Sequence, residues 1–152
     1  MRASFSLAVL FATAALAQKA MPGKQGTVIV STFNETSGAT SAVGCLTATG
    51  KLTGDWTSCA TFNAKSVSSS MWDGATLDAG AGACGWDLSN RNGPLMCGPG
   101  AKALGFYELD GKLAVQDLRT VWNIDNAPVD TPVTVFWQGL HAFRAVLTWV
   151  PN

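Results

Sequence analysis

Beyond residue 26, apolar and polar positions alternate in short runs broken by Gly, Asn, Asp and Pro, and helical periodicity is nearly absent. A period of two places successive side chains on opposite faces of an extended strand, so the pattern predicts an all-β fold. Thr27–Phe33 (TVIVSTF) is the opening strand, preceded by a short flexible leader from Met21 to Gly26. Gly44–Ala48 and Cys59–Ala64 read as a hairpin across the turn-rich stretch Gly50–Ser58. A second hairpin joins Cys84–Leu88 to Pro94–Cys97 around Ser89-Asn90-Arg91-Asn92-Gly93, where Asn-Gly can take the positive φ of a tight turn. Asp110-Gly111 joins Leu104–Leu109 to Lys112–Gln116. Pro132–Gln138 is read as turning at Gly139-Leu140-His141 into Ala142–Val150, with Phe143, Ala145, Leu147 and Trp149 inward and Arg144, Val146 and Thr148 outward. Asp117–Asn126 reads as a strand, one helical turn being the alternative. Seven to nine strands joined by hairpins can bury one face each as an antiparallel β-sandwich or as a closed β-barrel; a small sandwich is the expectation.

The N-terminus follows a different pattern. Arg2 is a short basic start, Phe5–Leu16 is almost wholly apolar, and Ala15-Leu16-Ala17 has the small-x-small form of a signal-peptidase site, so residues 1–17 read as a signal peptide. The apolar stretch is shorter than the roughly 20 residues needed to span a bilayer. Residues 18–152 are then one secreted domain, with no membrane attachment after cleavage. Without Arg2 the chain carries nine basic and ten acidic groups, the cations are scattered, and there is no basic stripe of the kind that neutralises nucleic-acid phosphates. Asn34-Glu35-Thr36 is the one glycosylation sequon and predicts an N-glycan on a surface loop.

An exported chain changes the reading of its four cysteines, which become a disulfide framework. Cys45, Cys59, Cys84 and Cys97 allow three connectivities. Local pairing, Cys45 with Cys59 and Cys84 with Cys97, is favoured because each hairpin brings its own ends together.

Gly44-Cys45-Leu46, Gly50, Cys59-Ala60-Thr61-Phe62 with Ala64, the Cys84–Cys97 hairpin and the terminal Leu147-Thr148-Trp149 resemble the C-terminal domain appended to fungal T2 ribonucleases. The resemblance covers about Gly26 to Val150. It implies a cell-wall or carbohydrate-associated module. The enzyme half of that family lies N-terminal to this module, and here the module stands alone.

Candidate chemistry is sparse. Acid–base ribonuclease cleavage uses two histidines. The chain has one, His141, in a turn where it reads as a hydrogen bonder, and Gly139-Leu140-His141 does not reproduce the ribonuclease His-Gly-Leu order. No nucleophile elbow occurs and zinc lacks ligands. Asp55, Asp73 and Asp87 are loop carboxylates that suit calcium, but without EF-hand spacing, and solvated turn aspartates are the plainer reading. No metal or cofactor is therefore expected.

Six tryptophans remain. Trp122, Trp137 and Trp149 read as core. Trp56, Trp72 and Trp86 neighbour Asp55, Asp73 and Asp87, which sets a planar apolar ring beside an acceptor, as a shallow glycan site requires. Core or hairpin stacking is the competing reading of these three. The expected function is a secreted, non-catalytic module binding cell-wall or host polysaccharide through Trp72, Trp86, Trp56, Asp73 and Asp87. The alternatives are an effector-like protein that binds a partner protein, and a degenerate ribonuclease or glycosidase.

Overall fold

The computed structural model describes residues 21, 24–68, 73–87, 89–90, 93–115 and 120–152. The proposed signal peptide and Trp72 lie outside them. Among the described residues the chain forms thirteen strands: β1 (Gln25–Phe33), β2 (Thr40–Leu46), β3 (Leu52–Thr53), β4 (Phe62–Ser68), β5 (Asp73–Asp78), β6 (Cys84–Asp87), β7 (Leu95–Cys97), β8 (Ala101–Ala103), β9 (Phe106–Leu109), β10 (Lys112–Val115), β11 (Val121–Ile124), β12 (Val135–Phe136) and β13 (Phe143–Pro151). They build two antiparallel sheets and no closed barrel. The larger runs β10-β9-β5-β4-β1-β13-β11-β12, with β2 and β3 branching from β1, and the smaller runs β7-β6-β8.

Alternation sets the centre of the large sheet. In β1, Gly26, Val28 and Val30 are buried while the residues between them are part-exposed, as period two demands. Val28 and Val30 join Phe62, Leu77, Leu113 and Leu147 in one core cluster that also takes in Cys84, Leu95 and Cys97 of the small sheet. One edge of β1 serves two partners in succession, β4 at Gln25–Gly26 and β2 at Ile29–Phe33, while the other edge pairs with β13 along its length. Gln25 and Gly26, expected as leader, are thus strand residues.

Cys45 and Cys59 are joined, and so are Cys84 and Cys97, and no cysteine is free. The hairpin at Cys84–Cys97 is present, with Cys84 opposite Cys97 in the β6–β7 register. The Asp110-Gly111 hairpin is also present, with φ of 51° and 74° at its two turn residues. Asp117–Asn126 yields β11 over Val121–Ile124, a strand as expected.

Two expected pairings are replaced. The Gly44–Ala48 segment pairs with β1 and the short β3, while the chain from Phe62 pairs with β5; the Cys45–Cys59 bridge and a bond from the Ala60 N–H to the Leu46 carbonyl hold only the root of that returning segment beside β2. The Pro132–Gln138 segment does not pair with the last strand either. A strand has two edges, and those of β13 are taken by β1 and β11, so β12 pairs with β11 instead. In β13, Ala145, Leu147 and Trp149 are buried as expected. Val146, expected outward, is also buried where β10 packs against the strand, and Phe143, expected inward, is exposed at the strand's start. β5 and β8, and the Thr40–Val43 half of β2, carried no clear alternation and were not anticipated.

Candidate functional site

The seam between the two sheets carries two adjoining shallow depressions among the described residues. Pro94 bridges to Phe136, and the Trp137 N–H donates to the Gly93 carbonyl at 3.3 Å, so the edge strand β12 is stitched to the tip of the β6–β7 hairpin. The Trp137 carbonyl accepts from Asn123 Nδ2, a buried amide on β11, at 3.4 Å. This double hold brings the Trp137 ring to 4.9 Å from Trp86, with the planes tilted by 50°. Trp122, fully buried, lies 5.6 Å from Trp86 and 5.9 Å from Trp137, and stacks on Phe106 behind. Trp86 and Trp137 are half-buried, so part of each indole is left to solvent.

Gly93 sits against both rings. Its φ of 56° lies in the left-handed region, and an added Cβ would come 3.4 Å from the Trp86 ring and 3.7 Å from Trp137 Cβ. Gly93 therefore supplies the left-handed backbone beside Trp86 and Trp137.

Two depressions flank this pair. The smaller, about 300 Å³, is lined by Trp86, Asp87, Asn90, Lys102, Trp137 and Gln138 with Gly93 at its floor. The larger, about 640 Å³, is lined by Thr120, Val121, Asn123, Trp137, Gln138 and Arg144 with Gly139. Trp137 and Gln138 belong to both, so the two adjoin at these residues and together make up a grooved surface. Asp87 accepts from the Ser89 N–H at 2.8 Å and from Ser89 Oγ at 2.6 Å, both at Oδ1. The Ser89 hydroxyl, then its N–H, hold the carboxyl below its ordinary value. Arg144 pairs with Glu35 at 3.2 Å across exposed surface.

The loop that carries Gln138 is clasped by His141. Its Nε2–H donates to the Gln138 carbonyl at 3.0 Å, Nδ1 meets Asp125 Oδ1 at 2.7 Å, and the ring stacks on Phe136 with centroids 4.2 Å apart. His141 is thus the turn hydrogen bonder its sequence context suggested, with both ring nitrogens engaged inside the loop. Gly139, at φ 113°, has no room for a side chain beside that ring.

Of the expected glycan residues, the structure brings together Trp86 and Asp87. Trp56 lies apart: it is 54% exposed, lines neither depression and has no ring contact among the described residues. Its neighbour Asp55 caps the 3-10 turn Trp56–Ser58, accepting from Thr57 N–H, Thr57 Oγ1 and Ser58 Oγ. Asp73 opens β5 opposite Ser68. Asp55 and Asp87 each spend their carboxylates on their own turns, and among the described residues no group of three or more His, Cys, Asp or Glu side chains is placed to hold a metal ion. Trp137, expected in the core, packs against the core cluster and also lines both depressions. The Trp137-Gln138-Gly139 step from apolar run to polar turn was the available signal. Asn34 lies in the exposed turn between β1 and β2, its Oδ1 accepting from the Thr36 and Ser37 N–H groups at 2.9 and 3.0 Å.

These features define a class: an all-β protein of two antiparallel sheets with two local disulfides and a tryptophan-walled groove at the seam. No family model, curated protein or solved structure matches the chain. No helix among the described residues is long and apolar enough to cross a membrane.

Proposed function

We propose that this chain is a secreted, non-catalytic module that binds polysaccharide of a cell wall or host surface through the Trp86–Trp137 groove, and that it is a relative of the C-terminal domain of fungal T2 ribonucleases, N-glycosylated at Asn34. One observation carries the binding reading: two half-buried indoles 4.9 Å apart are rimmed by Asp87, Asn90, Lys102 and Gln138. Indole faces cover the apolar C–H face of a pyranose, while carboxylate, amide and ammonium groups satisfy its hydroxyls. A groove with apolar walls and a few convergent polar groups is the usual form of a small-ligand site.

A hydrolase would need two carboxyl groups about 5 to 10 Å apart across the bond. Asp87 is the one carboxylate among the described residues lining the groove. A partner-protein reading draws on Leu140, which is fully exposed beside the groove residue Gly139.

The test is retention of purified protein on immobilised chitin and β-glucan. Wild type is expected to be retained, with Trp86→Ala and Trp137→Phe weakened while their near-UV circular dichroism stays folded. Equal retention of wild type and both folded variants ends the proposal, and capture lost only on Leu140→Ser favours the partner protein.

A further inference from the structure

We infer that the groove takes a single soluble glycan chain lying across both depressions, past Trp137, and not the face of a packed polymer crystal. This rests on the glycan reading above and adds the physical form of the ligand.

The first argument is planarity. A crystalline polysaccharide presents a flat face, and a protein that lies on it needs exposed rings in one plane. Trp86 and Trp137 are tilted by 50°. Trp122 fixes that tilt from beneath, meeting Trp137 nearly edge-on at 70° and Trp86 at 41°. Flattening the pair would therefore require repacking a fully buried indole, which close-packed interiors resist. Neither ring stands proud of the surface, since both are half-buried within the groove. Trp56, the one exposed indole among the described residues, has no second ring beside it among them to extend a platform.

The second argument is continuity. Trp137 and Gln138 line both depressions, so the two adjoin, and a ligand reaching from the smaller to the larger passes over these two residues. The larger is roughly twice the volume of the smaller, and both fall within the range of about 300–1,000 Å³ typical of small-ligand clefts. Their linings differ. The smaller offers two tilted indoles, one of which can stack on a sugar ring while the other borders it. The larger offers the Thr120 hydroxyl, the Gln138 amide and the Arg144 guanidinium, which suit hydroxyls further along the same chain. A free chain can twist between units to follow two walls at an angle; a crystal face cannot.

Titration calorimetry of the full protein with soluble chito-oligosaccharides and β-1,3-gluco-oligosaccharides, from disaccharide to hexasaccharide, tests this beside sedimentation with crystalline chitin particles. The expected result, in at least one series, is affinity rising about tenfold with length as one or two further hydrogen bonds form, then levelling. Thr120→Trp, which fills the larger depression from its rim, should remove that rise, and Gln138→Ala should reduce it. Trp56→Ala should leave it intact. Affinity independent of length in both series, or a rise preserved in folded Thr120→Trp and Gln138→Ala, overturns the inference. Binding to particles without binding to any oligosaccharide overturns it too, yet leaves the glycan reading standing. Binding of neither soluble nor crystalline probe brings down both.

Discussion

Two stretches of this chain carry the same local chemistry, a tryptophan beside an aspartate that accepts from the turn after it, close to a disulfide. One becomes a groove wall and the other does not. At Trp86-Asp87 the hairpin tip meets β12, and a second indole arrives from about fifty residues downstream. At Asp55-Trp56 the 3-10 turn stands alone, and its indole is the most exposed of the described tryptophans. The aspartates are used alike, each accepting from hydroxyl and N–H groups two or three residues on. What separates the two stretches is the long-range seam, which an adjacent residue pair cannot supply.

Breaking the staples should show this most strongly. Removing a native disulfide from a small domain costs about 2–5 kcal/mol, so Cys45→Ser with Cys59→Ser and Cys84→Ser with Cys97→Ser should both lower the urea midpoint markedly. Their effects on glycan retention should differ. The Cys84–Cys97 bridge spans the hairpin that carries Trp86 and Asp87, so its loss should weaken retention under conditions where the variant is still folded. Loss of Cys45–Cys59 should leave retention by the folded fraction unchanged. Equal retention losses would mean that the groove depends on global stability and not on its own hairpin.

Truncating the tryptophans comes next. Trp86→Ala removes a half-buried ring packed on two others and should cost about 2–3 kcal/mol, below the full range for a buried aromatic. Trp56→Ala should stay within about 0.5 kcal/mol of wild type, as for surface changes generally. Paired denaturation curves measure both. A costly Trp56→Ala would show that the 3-10 turn is packed more firmly than its exposure indicates.

Gly93→Ala is expected to be smaller, about 1–2 kcal/mol, the cost of a side chain held in the left-handed region. Its sharper readout is optical. The new Cβ lies against the Trp86 ring, so near-UV dichroism and tryptophan fluorescence should change while Gly38→Ala, at a left-handed turn with open space around it, leaves them alone. Identical spectra for both variants would deny that Gly93 sets the spacing of the indoles.

How much of this was legible beforehand divides along the same line. Strand identity was readable wherever one face is buried and period two survives, as in Thr27–Phe33 and around Asp110-Gly111. The disulfides followed from the nearness of each pair along the chain. Strand partners were less readable, because pairing is decided by which edges remain unoccupied: Val135–Phe136 could not be assigned to β11 without knowing that β1 and β11 already flank β13. Trp137 shows the same limit. Its apolar run looks like core, and it does pack against the core; the long-range backbone bonds to Gly93 and Asn123 and the ring contacts with Trp86 and Trp122 also place it on the wall of both depressions. Trp86 and Asp87 were found because hairpin chemistry and site chemistry coincide in one short segment.

The smallest expected effect concerns acid. Both Asp55 and Asp87 have carboxyls held below the ordinary value of 3.8, Asp55 chiefly by the Ser58 hydroxyl and then by Thr57, Asp87 by the hydroxyl and then the N–H of Ser89. A carboxyl lowered on folding adds stability that is fully present above its unfolded value and is lost as pH falls through its lowered folded value. Both turns should therefore loosen only below about pH 4, and only slightly, because these groups face solvent. Asp55→Asn and Asp87→Asn keep a side-chain oxygen for the turn but remove the charge, so each should flatten a small part of the acid limb of stability. Glycan retention should distinguish them: its acid limb should change in Asp87→Asn, whose carboxylate lines the groove, and stay as wild type in Asp55→Asn. Retention that follows the Asp55 substitution as closely as the Asp87 one would reduce the two turns to equivalents and detach the carboxylate from the ligand.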